Sequence, residues 1–130
     1  MSEAIREVRS AAAPQPVGPY SQAVVAGGLV FASGQLPLDP ATGQLVEGDI
    51  AVQADRAIAN LGAVLEAAGS SLARVVRVTV YLEDLADWPR LNEVYERHFT
   101  GVPKPARTAI QAAALPRRAA LEIDAIALVG

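Results

Sequence analysis

Residues 74–84 read RVVRVTVYLED, and apolar and polar side chains alternate through them. Val76, Val78, Val80 and Leu82 fall on one face, and Arg77, Thr79 and Tyr81 on the other. A period of two marks a half-buried strand. The flanking segments have a different period. Upstream, Ile50, Ala54, Ala57, Ile58, Leu61, Val64, Leu65 and Ala68 form a helical stripe. Asp49 stands where an N-cap belongs and Gly69 where a helix stops. Downstream, Leu91, Val94, Tyr95 and Phe99 form a second stripe, with Asp87 as its expected cap, Pro89 in its first turn and Gly101-Val102-Pro103 as its end.

Further out the pattern is β again. "SQAVVAGGLVFASGQLP" (21–37) reads as two strands joined at Gly27-Gly28, a hairpin signal. "EAIREVR" (3–9) suits a short strand, "AAAPQPVGPY" (11–20) a proline-punctuated loop, and "LDPATGQ" (38–44) a second loop. Two strands are expected at about 107–115 and 119–128, split by Leu115-Pro116-Arg117-Arg118. The order is β-β-β-α-β-α-β-β. It predicts one α+β domain over residues 1–130, with two helices on one face of a mixed sheet. The other face carries Thr79, Tyr81 and small residues, too apolar to stay fully wet. Subunits packing sheet to sheet would cover it.

Composition narrows the function. A chain of 130 residues is long enough for a real core. A net charge of −3 argues against nucleic acid as a principal partner, because phosphate binding needs a basic face. There is no cysteine and one histidine, which excludes disulfides, thiolate catalysis and a multi-histidine metal site within one chain. "MSEAIREVRS" has no apolar core of a signal peptide, and no apolar run reaches membrane-spanning length. The expectation is a soluble cytoplasmic protein without membrane contact.

Two charged strands carry the candidate chemistry. In "KPARTAI" (104–110) Arg107 leads a strand directly after Pro105. It is either a strand-end ion pair or a clamp for a small carboxylate, since a guanidinium presents two parallel donors. In "ALEIDAIALV" (120–129) Glu122 stands between Leu121 and Ile123. It is either half of a structural ion pair or a general acid/base whose pKa burial raises. Asp124 suits an edge position. In a tight hairpin of the last two strands, Arg107 would pair near Ile126, leaving Glu122 about 13 Å away along the strand. Either those strands are not neighbours, or a substrate bridges the two groups. His98, late in the second helix, suits a surface site favoured by the helix dipole. Ser33-Gly34 suits a turn, Tyr20 packing over a loop, and Asn92 local capping.

Together the motifs say more. "GPYSQAV", "FASGQLPLDPATG", "QADRAIANLGAVLEAAG", "VVRVTVYLEDLADWPRLNEVYERHF", "PARTAI" and "LEIDAIA" occur in that order. From about Pro16 to Leu128 the chain resembles the RidA/YjgF family, also called the L-PSP endoribonuclease family. The resemblance implies a chorismate-mutase-like α+β fold and a homotrimer with clefts between subunits. It implies a 2-iminobutanoate/2-iminopropanoate deaminase, which hydrolyses reactive enamines and imines to 2-keto acids and ammonia without metal or cofactor. Carried over by motif, Arg107 would hold the substrate carboxylate and Glu122 would orient or activate water. Tyr20, Ser33, Gly34 and Asn92 would complete the cleft. Many members have cysteine where this chain has Ala109, so a thiol cannot be essential here, although the backbone of Ala109 can still contribute. Two other readings stand beside this one. A non-catalytic small-acid-binding or chaperone-like trimer needs Arg107 but not Glu122. An endoribonuclease lacks its basic stripe with aromatics.

Overall fold

The computed structural model describes residues 4–130. Its elements are β1 (Arg6–Val8), β2 (Ala23–Ala26), β3 (Leu29–Gln35), α1 (Ile50–Ala67), β4 (Val75–Leu82), α2 (Trp88–His98), β5 (Ala106–Gln111) and β6 (Leu121–Leu128). The order is the predicted one. Glu3, where the first strand was expected to begin, lies outside the described residues. The strands form one sheet in the order β1-β2-β3-β6-β4-β5. The β4–β5 pair is parallel and the other pairs are antiparallel.

Local chemistry accounts for the elements. β2 and β3 turn at Gly27 and Gly28, whose φ values of 57° and 77° suit a two-residue hairpin. The Asp49 carboxylate accepts from the Val52 amide at 3.1 Å and caps α1. The helix ends at Gly69, with φ of 82°. Every residue of its predicted stripe is buried, and so is every residue of the α2 stripe. Those stripes pack on Val78, Val80 and Leu82 of β4 and Leu121 and Ile123 of β6, all fully buried.

Three expectations need correction. Val76 does not share the face of Val78. β4 bulges there, with Val75 opposite Ala127 and Arg77 opposite Ile126. The extra residue turns Val76 out, 41% exposed, while Val75 goes into the core. Asp87 takes the N-cap position of α2 without a side-chain capping bond. Instead Asp84 accepts from the Ala86 amide at 2.9 Å and opens a 3-10 turn that runs into the helix. Finally, β5 stops at Gln111, because its partner β4 ends at Leu82 and offers no further ladder. β5 and β6 are not a hairpin, since β4 lies between them.

Both helices lie on one face. The opposite face has no cover among the described residues and carries Phe31, Tyr81, Ile110, Glu122, Asp124 and Ile126. Phe31 and Ile110 are 40% and 45% exposed.

Candidate active site

Arg107 stands beside Val78 on β4 and therefore points to the helix side of the sheet. Three residues of α2 receive it. Its Nη1 donates to Asn92 Oδ1 at 2.8 Å. Its Cζ lies 4.7 Å from the Tyr95 ring centroid and 5.5 Å from that of Trp88. Positions 88, 92 and 95 are one row on a helix, so α2 presents an aromatic–amide–aromatic bracket to the guanidinium. No carboxylate pairs with Arg107 among the described residues. The bracket holds the charge in place and leaves part of the donor fork free. It borders a pocket of about 330 Å³ lined by Asn92, Tyr95, Glu96, Lys104, Pro105 and Arg107. Lys104 Nζ donates to the Phe99 carbonyl at 2.5 Å, tying the end of the α2–β5 loop to the end of α2. The ring of Tyr95 stacks on Phe99, and its buried hydroxyl has no hydrogen-bond partner among the described residues.

Glu122 stands opposite Tyr81 on the other face of the sheet. A second group gathers around it. β3 carries an irregularity between Ala32 and Gln35 where it pairs with β6, which places Ser33 and Gly34 in a bulge. A Cβ on Gly34 would lie 2.8 Å from Glu122 Cδ, so glycine is what lets the carboxylate lie against this backbone. The Ser33 hydroxyl donates to the Ser21 carbonyl at 2.6 Å, which anchors the bulge to the preceding loop. Tyr20, half exposed, shares a pocket with Gly34. Burial pushes the Glu122 carboxyl above its usual range, and the neighbouring Asp124 charge pushes it further.

The expected residues thus fall into two groups. Arg107 and Asn92 meet on the helix side, with Ala109 two residues on, half-buried beside Val80. Glu122, Gly34, Ser33 and Tyr20 gather on and around the open side. Within one chain the guanidinium and the carboxylate are separated by the sheet and by strand β4. Asn92 is a partner of Arg107, not a local cap. His98 belongs to neither group: its Nε2 lies 2.6 Å from Asp55 Oδ1 and bridges α2 to α1. Trp88 and Tyr95 escaped the sequence reading as site residues. Tyr95 reads as core, and only its spacing from Trp88 and Asn92 marks the row. No group of three His, Cys, Asp or Glu side chains is placed to hold a metal among the described residues.

An α+β sheet with a bracketed arginine on one face and a half-buried carboxylate on the other defines a recognisable class. Residues 10–129 match the family model described as Endoribonuclease L-PSP. The chain is 54% identical to protein DfrA of Myxococcus xanthus over 95% of both chains. It is 47% identical to 2-iminobutanoate/2-iminopropanoate deaminase of Bos taurus, over 100% of this chain and 95% of that one. Among solved structures, RidA from a Psychrobacter species superposes with a TM-score of 0.91 at 44% identity, covering 95% of this chain and 99% of that one. E. coli TdcF with bound serine gives a TM-score of 0.91 at 38% identity, covering 96% of this chain and 99% of that one. The chain belongs to the Rid family of L-PSP proteins, the RidA/YjgF family.

Proposed function

We propose that this chain is a deaminase for 2-imino acids and their enamine tautomers, the 2-iminobutanoate/2-iminopropanoate class. The reaction adds water across the C=N bond and expels ammonia, leaving a 2-keto acid. The observation that carries the reading is Arg107, a guanidinium bracketed by Trp88, Asn92 and Tyr95, bordering a pocket and without a carboxylate partner among the described residues. An anionic carboxylate on a small ligand is its natural complement. The full-length relatives named as deaminases and the serine bound to TdcF, an amino acid with the same carboxylate, support it.

The imine carbon is already electrophilic, so the protein has to place water and handle protons. Glu122 takes a proton from the attacking water as the C–O bond forms. With the imine entering as its protonated iminium, this addition gives a neutral carbinolamine. Glu122 then returns the proton to nitrogen, and the C–N bond breaks to release ammonia. The hydroxyl proton passes to the freed Glu122 carboxylate as the ketone forms and is carried off by ammonia as ammonium. A carboxyl whose proton affinity burial raises suits both steps, because it takes a proton more readily than an ordinary carboxylate and can give it back. Ser33, Gly34, Tyr20 and the backbone of Ala109 shape the cleft. In this reading the active form is a homotrimer. Arg107 of one subunit meets Glu122 of the next, which supplies the juxtaposition that a single sheet prevents and covers the open face. The placement is the cytoplasm.

The test couples the protein to a serine dehydratase that releases 2-aminoacrylate and follows pyruvate formation. Wild type should accelerate release. Arg107→Ala should lower kcat/KM by roughly thirtyfold to several thousandfold, the loss of one partner of a desolvated charge pair. Arg107→Lys should recover only a fraction, since an ammonium cannot make the planar fork. Wild-type rates from Arg107→Ala would refute the assignment.

A further inference from the structure

The polar residues of the open face are not scattered. Glu122 and Asp124 are two apart on β6 and so share a face, separated by about 7 Å of strand. Tyr81 stands directly across from Glu122 on β4, yet its hydroxyl reaches diagonally past it and donates to Asp124 Oδ2 at 3.0 Å. Thr79 is the residue opposite Asp124. Asp124 lies on the open face two residues from Ile126, where its carboxylate could turn to water, and the Tyr81 hydroxyl holds it back. The phenol stays a donor across the neutral range: burial raises its pKa first, and the bond to Asp124 raises it further. Nothing in the reaction as derived above uses this pair.

We propose that Asp124, fixed by the Tyr81 hydroxyl, is a positioning residue that acts through Glu122: it is a second negative charge held at constant distance from the reacting carboxyl, and it sets the pH range in which that carboxyl can take up and return a proton. The proposal rests on the reading of Glu122 as the acid/base group. Two neighbouring carboxyls in a half-buried site do not ionise independently, so a negative charge held beside Glu122 makes it keep its proton longer. The fixed distance is what matters, because a freely rotating Asp124 would turn to solvent and its field at Glu122 would be screened.

The other groups around Glu122 do not supply this effect. β3 contributes Ser33 and Gly34, neither titratable in this range. On β4, Tyr81 is committed to Asp124, and the Arg77 guanidinium is hydrogen-bonded to Thr108 on β5. Tyr20 from the loop shares a pocket with Gly34. In the assembled cleft Arg107 of the partner subunit adds a cation that lowers the proton affinity of Glu122. The decisive quantity is therefore the difference between variants and not an absolute midpoint.

The experiment titrates the Glu122 side-chain carboxyl by ¹³C NMR in the assembled protein, assigned with Glu122→Gln, and records the pH profile of kcat/KM in parallel. Asp124→Asn should lower the Glu122 midpoint by about half a unit to one unit, the field of one charge at this separation in a partly wet site. The acidic limb of the rate profile should move with it. Tyr81→Phe keeps the charge but frees it, and should give a smaller shift in the same direction. Should Asp124→Asn fail to assemble, Tyr81→Phe carries the test, since it removes one atom. An unmoved midpoint in the assembled variants overturns the proposal even where activity falls. A moved midpoint in a protein that proves to have no deaminase activity would support the coupling and refute the function.

Discussion

Glu122 shows how far a single residue can be read. Its flanking leucine and isoleucine announced burial, and the structure supplies the consequence, a carboxyl pushed above its usual range by burial and by Asp124. The native state then binds this proton more tightly than the unfolded chain does. Its stabilising contribution is complete below the ordinary carboxylate range and is lost as pH rises through the raised value. Denaturant titrations should show wild type losing stability across that window while Glu122→Gln varies less. The same substitution should lower turnover by roughly 10²–10⁴-fold, the usual range for general acid–base catalysis. Binding of a 2-keto acid should persist within a few-fold. Gly34 offers an independent check by crowding. A Cβ there pushes into Glu122 with no change of backbone region, so Gly34→Ala should cost about tenfold to a hundredfold in turnover with the fold intact. Normal turnover in Gly34→Ala would show that the position of this carboxylate is not critical. That contact was out of reach of the sequence, which marked Gly34 as a turn and, through the family motif, as part of the cleft, without setting it against Glu122.

At the scale of elements, periodicity was enough for the order of strands and helices and for both core stripes. It failed where geometry departs from a regular repeat. The bulge at Val76 depends on how β4 meets β6, a pairing between segments far apart in the chain. The length of β5 depends on where its neighbour ends. Capping was mistaken at Asp87 because the chain inserts a 3-10 turn before α2, and the cap moved to Asp84. Asp84→Ala should therefore cost about 1 kcal/mol in chemical denaturation, and Asp87→Ala less than about 0.5 kcal/mol. Equal effects would contradict the capping scheme. The bracket on α2 was half legible: Asn92 came from the family motif, while Trp88 and Tyr95 needed the sheet in place to show what they face. On β5, Ala109→Cys should change turnover by less than about tenfold, roughly 1.4 kcal/mol of barrier, because no step uses a thiol.

For the whole molecule, the sheet is the obstacle that the proposed assembly would overcome. Arg107 and Glu122 occupy opposite faces of it, so the two proposed halves of the site do not meet within one chain. The uncovered face with Phe31 and Ile110 is apolar surface of the kind that oligomers bury. Light scattering at micromolar concentration should report a trimer, and a stable active monomer would contradict that. The most direct test mixes two inactive variants, Arg107→Ala and Glu122→Gln, by co-expression with distinguishable tags so that mixed trimers are isolated. Each mixed trimer contains one cleft with both groups intact, so isolated mixed trimers should show about a third of wild-type activity, and the unfractionated random mixture of equal amounts about a quarter. If verified mixed trimers show no activity beyond that of the separate variants, Arg107 and Glu122 do not meet between subunits, and this account of the site is wrong.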